Sequence, residues 1–211
     1  MNAETPKRSG RPDQQASEEL LRHIVDTATR LFIDQGYAAT SIEQIASAAG
    51  SGKQTLYRRF VSKEGLFTEV INRQGQRLVD LAVTTGEAVD NPVVALKESC
   101  RLLFDFVLTP DMIRLQRILV AEISRFPDLG EKVLDNCMSP FKDMLNRLLG
   151  AASHAGAIHT ANLDLTHNLM IGLMTGWPVQ QALLGRPVFE TEADREAYFE
   201  AAWALFLRGA Q

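Results

Sequence analysis

From Ser17 almost to the C-terminus, apolar residues recur three and four positions apart, and no stretch shows the alternation of a half-buried strand. That period admits helices and little else, so the expected fold class is all-α, with about nine helices. Ser17 suits the N-cap of the first, Glu18 and Glu19 suit its first turn, and Gly36 is placed to end it. Its stripe is Leu20, Leu21, Ile24, Val25, Ala28, Leu31 and Phe32. Thr40-Ser41-Ile42-Glu43 reads as a capping box opening a short second helix, with Ile42, Ile45, Ala46 and Ala49 inside and Gly50 at its close. Only Ser51 and Gly52 intervene before Lys53 starts a third helix with Leu56 and Phe60 as its buried pair. Ser62 caps a longer fourth helix, striped by Leu66, Phe67, Val70, Ile71, Leu78 and Leu81. Further helical segments fall at about 92–108, 111–125, 128–152, 163–184 and 192–208. The breaks are Asn91-Pro92, Thr109-Pro110, Phe126-Pro127, Gly156 and Gly185-Arg186-Pro187, and Pro140 and Pro178 predict kinks inside two segments.

Residues 1–16 are polar, hold two prolines and show no period, so they read as a flexible arm carrying Lys7, Arg8 and Arg11. Ser9-Gly10-Arg11-Pro12 is able to lay Arg11 in a minor groove, and it serves equally as a solubilising tail. The net charge of −4 conceals an asymmetry: residues 1–77 carry +2 and residues 78–211 carry −6. Charge divided in this way fits a DNA-binding head on an acidic body. Cys100 and Cys137 are too few for a disulfide framework and read as plain buried side chains. No apolar run reaches the roughly 18 residues of a membrane span, and no hydrophobic stretch follows the basic N-terminus as a secretory signal requires. A cytoplasmic location without membrane contact is the expectation.

Two short helices joined by a tight glycine turn and braced by a longer helix make the helix-turn-helix plan. At about 100° per residue, with Leu56 at zero, Phe60 falls at about 40° and the buried direction near 20°. Gln54 then lies at about 160° and Arg58 at about 200°, opposite the core, flanked by Tyr57 at about 100° and Thr55 at about 260°. An amide, a guanidinium, a hydroxyl and a phenol on one face suit base edges and phosphates in a major groove. Lys53, at about 60°, reaches a phosphate only through its length and its place at the helix start. On periodicity alone the same face suits a solvated helix; the turn, the capped partner helix and the basic arm together favour the reading face.

The stretch TSIEQIASAAGSGKQTLYRRFVSKEGLF, residues 40–67, closely resembles the DNA-binding signature of the TetR family of bacterial regulators. Gly36, Tyr37 and Thr40, then Ile45-Ala46, Thr55-Leu56-Tyr57, Phe60 and Ser62-Lys63-Glu64 fall in register. The resemblance implies a homodimeric transcription factor, usually a repressor, released from palindromic double-stranded operator DNA by a small molecule. It implies that Thr40, Tyr57 and Lys63 touch phosphates and that Gln54, Thr55 and Arg58 approach bases. It makes the last two helices the dimer seam, and divides the chain into the arm, a DNA-binding domain over 17–62 and a ligand-binding and dimerisation domain over 63–211. Two positions depart from the family pattern. Ser51 stands where a buried valine is common, and Gly52 where a capping serine is common, which removes one phosphate contact.

The helices beyond residue 92 are rich in adaptable side chains. Phe104, Met112, Gln116, Phe141, Met144, Met170, Met174 and Trp177 are the candidates to surround a small, mostly apolar effector, although methionines and aromatics at this spacing equally build a core. The helix starting at Ser62 would link such a site to the reading head. An enzyme is the rival class, and a purely structural helical protein the third. No phosphate loop, nucleophile elbow or zinc spacing is present, and His23, His154, His159 and His167 form no ligand-like pairs. Neither a catalytic residue, a metal nor a cofactor is expected.

Overall fold

The computed structural model describes residues 14–86, 90–133 and 138–210, which places residues 1–13 of the expected arm, with Lys7, Arg8 and Arg11, and Cys137 outside the described residues, while residues 14–16 of that arm are helical. Among the described residues there is no strand. The helices are α1 (Gln14–Gln35), α2 (Ile42–Ala48), α3 (Lys53–Phe60), α4 (Lys63–Gly86), α5 (Pro92–Val107) and α6 (Pro110–Ile123). They continue with α7 (Pro127–Val133), α8 (Ser139–His154), α9 (Leu163–Ile171), α10 (Trp177–Leu183) and α11 (Glu192–Gly209), with a π-helical turn, Gly172–Gly176, between α9 and α10.

The two prolines that predicted kinks each fall in the first turn of a helix. Within segment 128–152 the described residues form α7 and α8, with Pro140 in the first turn of α8. Segment 163–184 runs on through the π turn into α10, which has Pro178 in its first turn. A proline lacks the N–H and crowds the carbonyl four residues back, and a local widening to π geometry relieves both defects without ending the rod.

Helix α1 begins three residues ahead of Ser17, because Gln14, Gln15 and Ala16 are good helix formers. Ser17 therefore caps nothing; its Oγ accepts a hydrogen bond from the Arg59 guanidinium of α3. The capping box of α2 also sits one residue later than expected. Ser41, with extended backbone, accepts from the Gln44 N–H at 3.1 Å, while the Gln44 side chain accepts from the Ser41 N–H at 2.7 Å. Either hydroxyl suits a cap, but Thr40 is drawn inside.

The chain forms two compact units, Met1–Val70 and Ile71–Gln211. The first is built on Ile24, Val25, Ala28 and Phe32 of α1, Ile42, Ile45 and Ala46 of α2, Leu56 and Phe60 of α3, and Leu66, Phe67 and Val70 of α4. Phe32, Tyr37 and Phe67 meet with ring centroids 5.3–5.4 Å apart. The second unit centres on Leu96, Cys100 and Phe104 of α5, Leu145 and Leu149 of α8, Met170, Met174, and Phe199 and Trp203 of α11. Lys97 and Arg101 of α5 pair with Glu200, and Arg101 also with Glu196, while Arg195 returns from α11 to Asp105 at 2.7 Å. These charges seam α5 to α11 along the rim of the core.

Candidate nucleic-acid interface

Helix α3 is placed by the turn before it. The Ser51 N–H bonds the Ala46 carbonyl at 2.9 Å and the Gly50 N–H bonds that of Ser47 at 3.2 Å, the paired closure that ends a helix on a left-handed residue. Gly50 supplies that conformation at φ 60°, where a side chain would be strained. Gly52 then takes the N-cap position of α3 without a side-chain bond, and its carbonyl receives the Thr55 N–H at 2.9 Å. Leu56 and Phe60 anchor α3 in the core of the first unit.

With that side fixed, Gln54 and Arg58 are exposed on the opposite side, Tyr57 is 42% exposed and Thr55 half-buried. The expected face is thus assembled on one side of α3. Lys53 is exposed but engaged: its ammonium pairs with Glu43 of α2 and stands 5.5 Å from the centroid of Tyr57. The Lys53 contact holds the Glu43 carboxyl below its ordinary value, and the same hydrogen bond raises the Lys53 pKa. Lys63, half-buried, lies 4.2 Å over the Tyr37 ring. Beside it burial pushes the Glu64 carboxyl up, but its own backbone N–H and the Ser62 and Tyr37 hydroxyls outweigh that and hold it low.

Thr40, which the resemblance assigns to a phosphate, is turned inward. It is 1% exposed, and its hydroxyl lies 2.8 Å from the Gly36 carbonyl and 3.2 Å from that of Leu31. The hydroxyl braces the end of α1 against the start of α2. Sequence reasoning also passed over Arg59, which ties α3 to Ser17; only the neighbouring guanidinium of Arg58 was singled out.

Of the eight effector candidates, five come together. Phe104, Phe141, Met144, Met170 and Met174 are all buried in the core of the second unit. Met112 and Gln116 are half-buried outside that cluster, and the Gln116 amide donates to the Val107 carbonyl at the end of α5. Trp177 is 48% exposed and stacks on Tyr198 at 5.7 Å. Among the described residues no three His, Cys, Asp or Glu side chains gather as a metal would need, and no helix is long and apolar enough to cross a membrane.

Residues 24–70 match the family profile described as bacterial regulatory proteins, tetR family, and residues 94–209 that of the AefR-like transcriptional repressor, C-terminal domain. The regulator AcrR of Shigella flexneri is 42% identical over 60 residues, 28% of this chain and 28% of AcrR. A crystal structure of a TetR-family regulator from Mesorhizobium loti superposes with a TM-score of 0.80 at 26% identity, over 92% of this chain and 97% of that one. The flavonoid-responsive regulator FrrA superposes at 0.70 with 26% identity, over 92% and 98% of the two chains. The two profiles account for the helix-turn-helix unit and for most of the second unit, and the chain belongs to the TetR family of DNA-binding transcriptional regulators.

Proposed function

We propose that this protein is a homodimeric repressor that reads a palindromic operator through α3 and leaves it when a small, mostly apolar ligand binds the second unit. The observation that carries the reading is the face of α3: Gln54 and Arg58 stand exposed opposite buried Leu56 and Phe60, on a helix anchored at both ends. Side-chain amide and guanidinium groups pair bidentately with adenine and guanine edges, and Tyr57 and Lys63 flank them as phosphate contacts. Repression is supported by the repressor profile matched over residues 94–209.

Dimerisation is supported by an apolar stripe with no cover in the single chain. Leu165, Leu169 and Leu173 recur every fourth residue along α9 and the π turn, all exposed, with Gly172 and Gly176 beside them where an added methyl would meet nothing. Leu184, just past α10, and Leu205 of α11 are exposed as well. A second copy offers the same stripe about a two-fold axis, which sets two reading helices on half-sites about one helical turn apart.

Response to an apolar ligand is supported by the similarity to FrrA, a flavonoid-responsive regulator, and by the methionine and aromatic content of the second core. A hundredfold loss of operator affinity requires the ligand to prefer the non-binding state by about 2.7 kcal/mol. The full burial of Phe104, Met170 and Met174 favours a second reading, in which the second unit is a dimerisation platform alone. The experiment is a gel shift on the DNA upstream of the gene, centred on any inverted repeat, repeated with flavonoids and other apolar aromatics that raise the melting temperature. Repeat-specific binding weakened by such a ligand supports the whole reading. Specific binding that no stabilising ligand weakens leaves the platform, and absence of specific binding removes the proposal.

A further inference from the structure

An acid stands against the first residue of α3. The helix carries three cations, Lys53, Arg58 and Arg59. Arg58 is exposed, Arg59 is tied to the Ser17 hydroxyl, and Lys53 pairs with the carboxylate of Glu43 on α2. The dipole of α2 favours an acid in its first turn, but the helix does not need Glu43 to begin. Ser41 and Gln44 already supply both bonds of the capping box.

The pair lies beside an expected phosphate contact. Lys53 and Tyr57 are one helical turn apart, and the Lys53 ammonium stands 5.5 Å from the Tyr57 ring centroid. A phosphate at the Tyr57 hydroxyl, the contact proposed above, is therefore within reach of the flexible Lys53 side chain. Gly52, at the N-cap of α3, has no side chain to take that phosphate instead. The Lys53 and Glu43 side chains are 55% and 52% exposed, so an incoming phosphate competes with the carboxylate for the ammonium. An exposed pair of this kind favours its own contact by at most about fivefold.

We infer that Glu43 is a brake on DNA binding: its carboxylate holds Lys53 in place of a phosphate and lowers affinity for every duplex alike. Phosphate contacts carry no sequence information, so the brake restrains non-specific binding and leaves the choice of sequence to Gln54 and Arg58. The inference rests on α3 facing DNA as proposed above.

The test measures the affinity of the full-length protein for operator and for random duplex across a salt series. Glu43→Gln keeps the shape of the side chain and frees Lys53. It should bind both duplexes about fivefold tighter, with a salt slope steeper by about 0.9, the mark of one added phosphate contact. Lys53→Met alone leaves Glu43 facing the phosphates and should weaken both duplexes. Lys53→Met added to Glu43→Gln should abolish the gain and return the slope to its wild-type value. The ratio of operator to random affinity should stay the same throughout. Wild-type affinity and slope in Glu43→Gln would overturn the inference, because Lys53 would then be unrestrained. Weaker binding of both duplexes by Glu43→Gln would overturn it too, by making Glu43 a residue that positions Lys53 for DNA. An effect confined to the operator would make Glu43 a base contact and equally remove the brake. Failure of the α3 reading shows separately, as an operator preference that survives replacement of both Gln54 and Arg58 by alanine.

Discussion

Replacing Thr40 by valine separates a structural brace from a phosphate contact. Valine matches threonine in shape but replaces the hydroxyl by a methyl, so the part-buried Gly36 carbonyl at 2.8 Å and the Leu31 carbonyl at 3.2 Å lose the one hydroxyl proton they share. Leaving such an acceptor short of a donor costs about 1–3 kcal/mol, and burying the new methyl returns about 0.8 kcal/mol. The net loss is then about 0.2–2.2 kcal/mol, a fall in melting temperature of up to roughly 9 °C for a chain of this size. Thr40→Ser keeps the hydroxyl and should fall less. Thermal melts of the three proteins measure the loss, and titrations of operator DNA across a salt series measure the phosphate count. The brace predicts a lower melting temperature for Thr40→Val with the salt slope unchanged. An unchanged melting temperature together with a slope flatter by about 0.9, the signature of one lost phosphate contact, would refute the reasoning.

Leu169 is 60% exposed at the centre of the α9 stripe, so the wild type should sediment as a dimer at micromolar concentration and Leu169→Glu as a monomer with unaltered helical circular dichroism; a variant that still sediments as a dimer would remove the stripe from the proposed seam. His167 is buried on α9, and burial, followed by repulsion from Lys142, pushes its pKa down from 6.5 against the weaker pull of Asp164. The unfolded chain therefore takes up this proton first as pH falls, so stability is intact above pH 6.5 and declines below it; His167→Gln should flatten that decline in pH-dependent denaturant melts, and an unchanged slope would contradict the assignment.

The elements were legible because amphipathic period and punctuation agreed. The stripe of α1, the glycine after α2, the short turn before Lys53 and the prolines opening α5 and α6 all mark backbone constraints that act locally. The exposed side of α3 was legible for the same reason, since burying Leu56 and Phe60 determines where Gln54 and Arg58 point. Features set by tertiary approach were not. Thr40 and Ser41 are both good caps, and only the packing of α1 on α2 decides which hydroxyl turns inward. The Lys53–Glu43 pair, the Arg59–Ser17 brace and the crowding of Phe60 on Gly65 join residues from different helices with no spacing rule to announce them. Met and aromatic spacing is the same for a core and a ligand chamber; the structure buries five of the candidates, joins Trp177 to Phe104 through Tyr198 and Phe189, and leaves Met112 and Gln116 outside the cluster.

The central claim is that α3 reads base sequence through Gln54 and Arg58. The most direct measurement is the ratio of operator affinity to random-duplex affinity, taken at one salt concentration, for the wild type and the Gln54→Ala, Arg58→Ala double variant. Each lost bidentate contact is worth about 1–3 kcal/mol of discrimination, so the double variant should lose roughly 30-fold to 10,000-fold of that ratio. Its affinity for random duplex should fall far less, because Tyr57, Lys63 and the backbone contacts remain. A double variant that keeps the wild-type ratio would contradict the account.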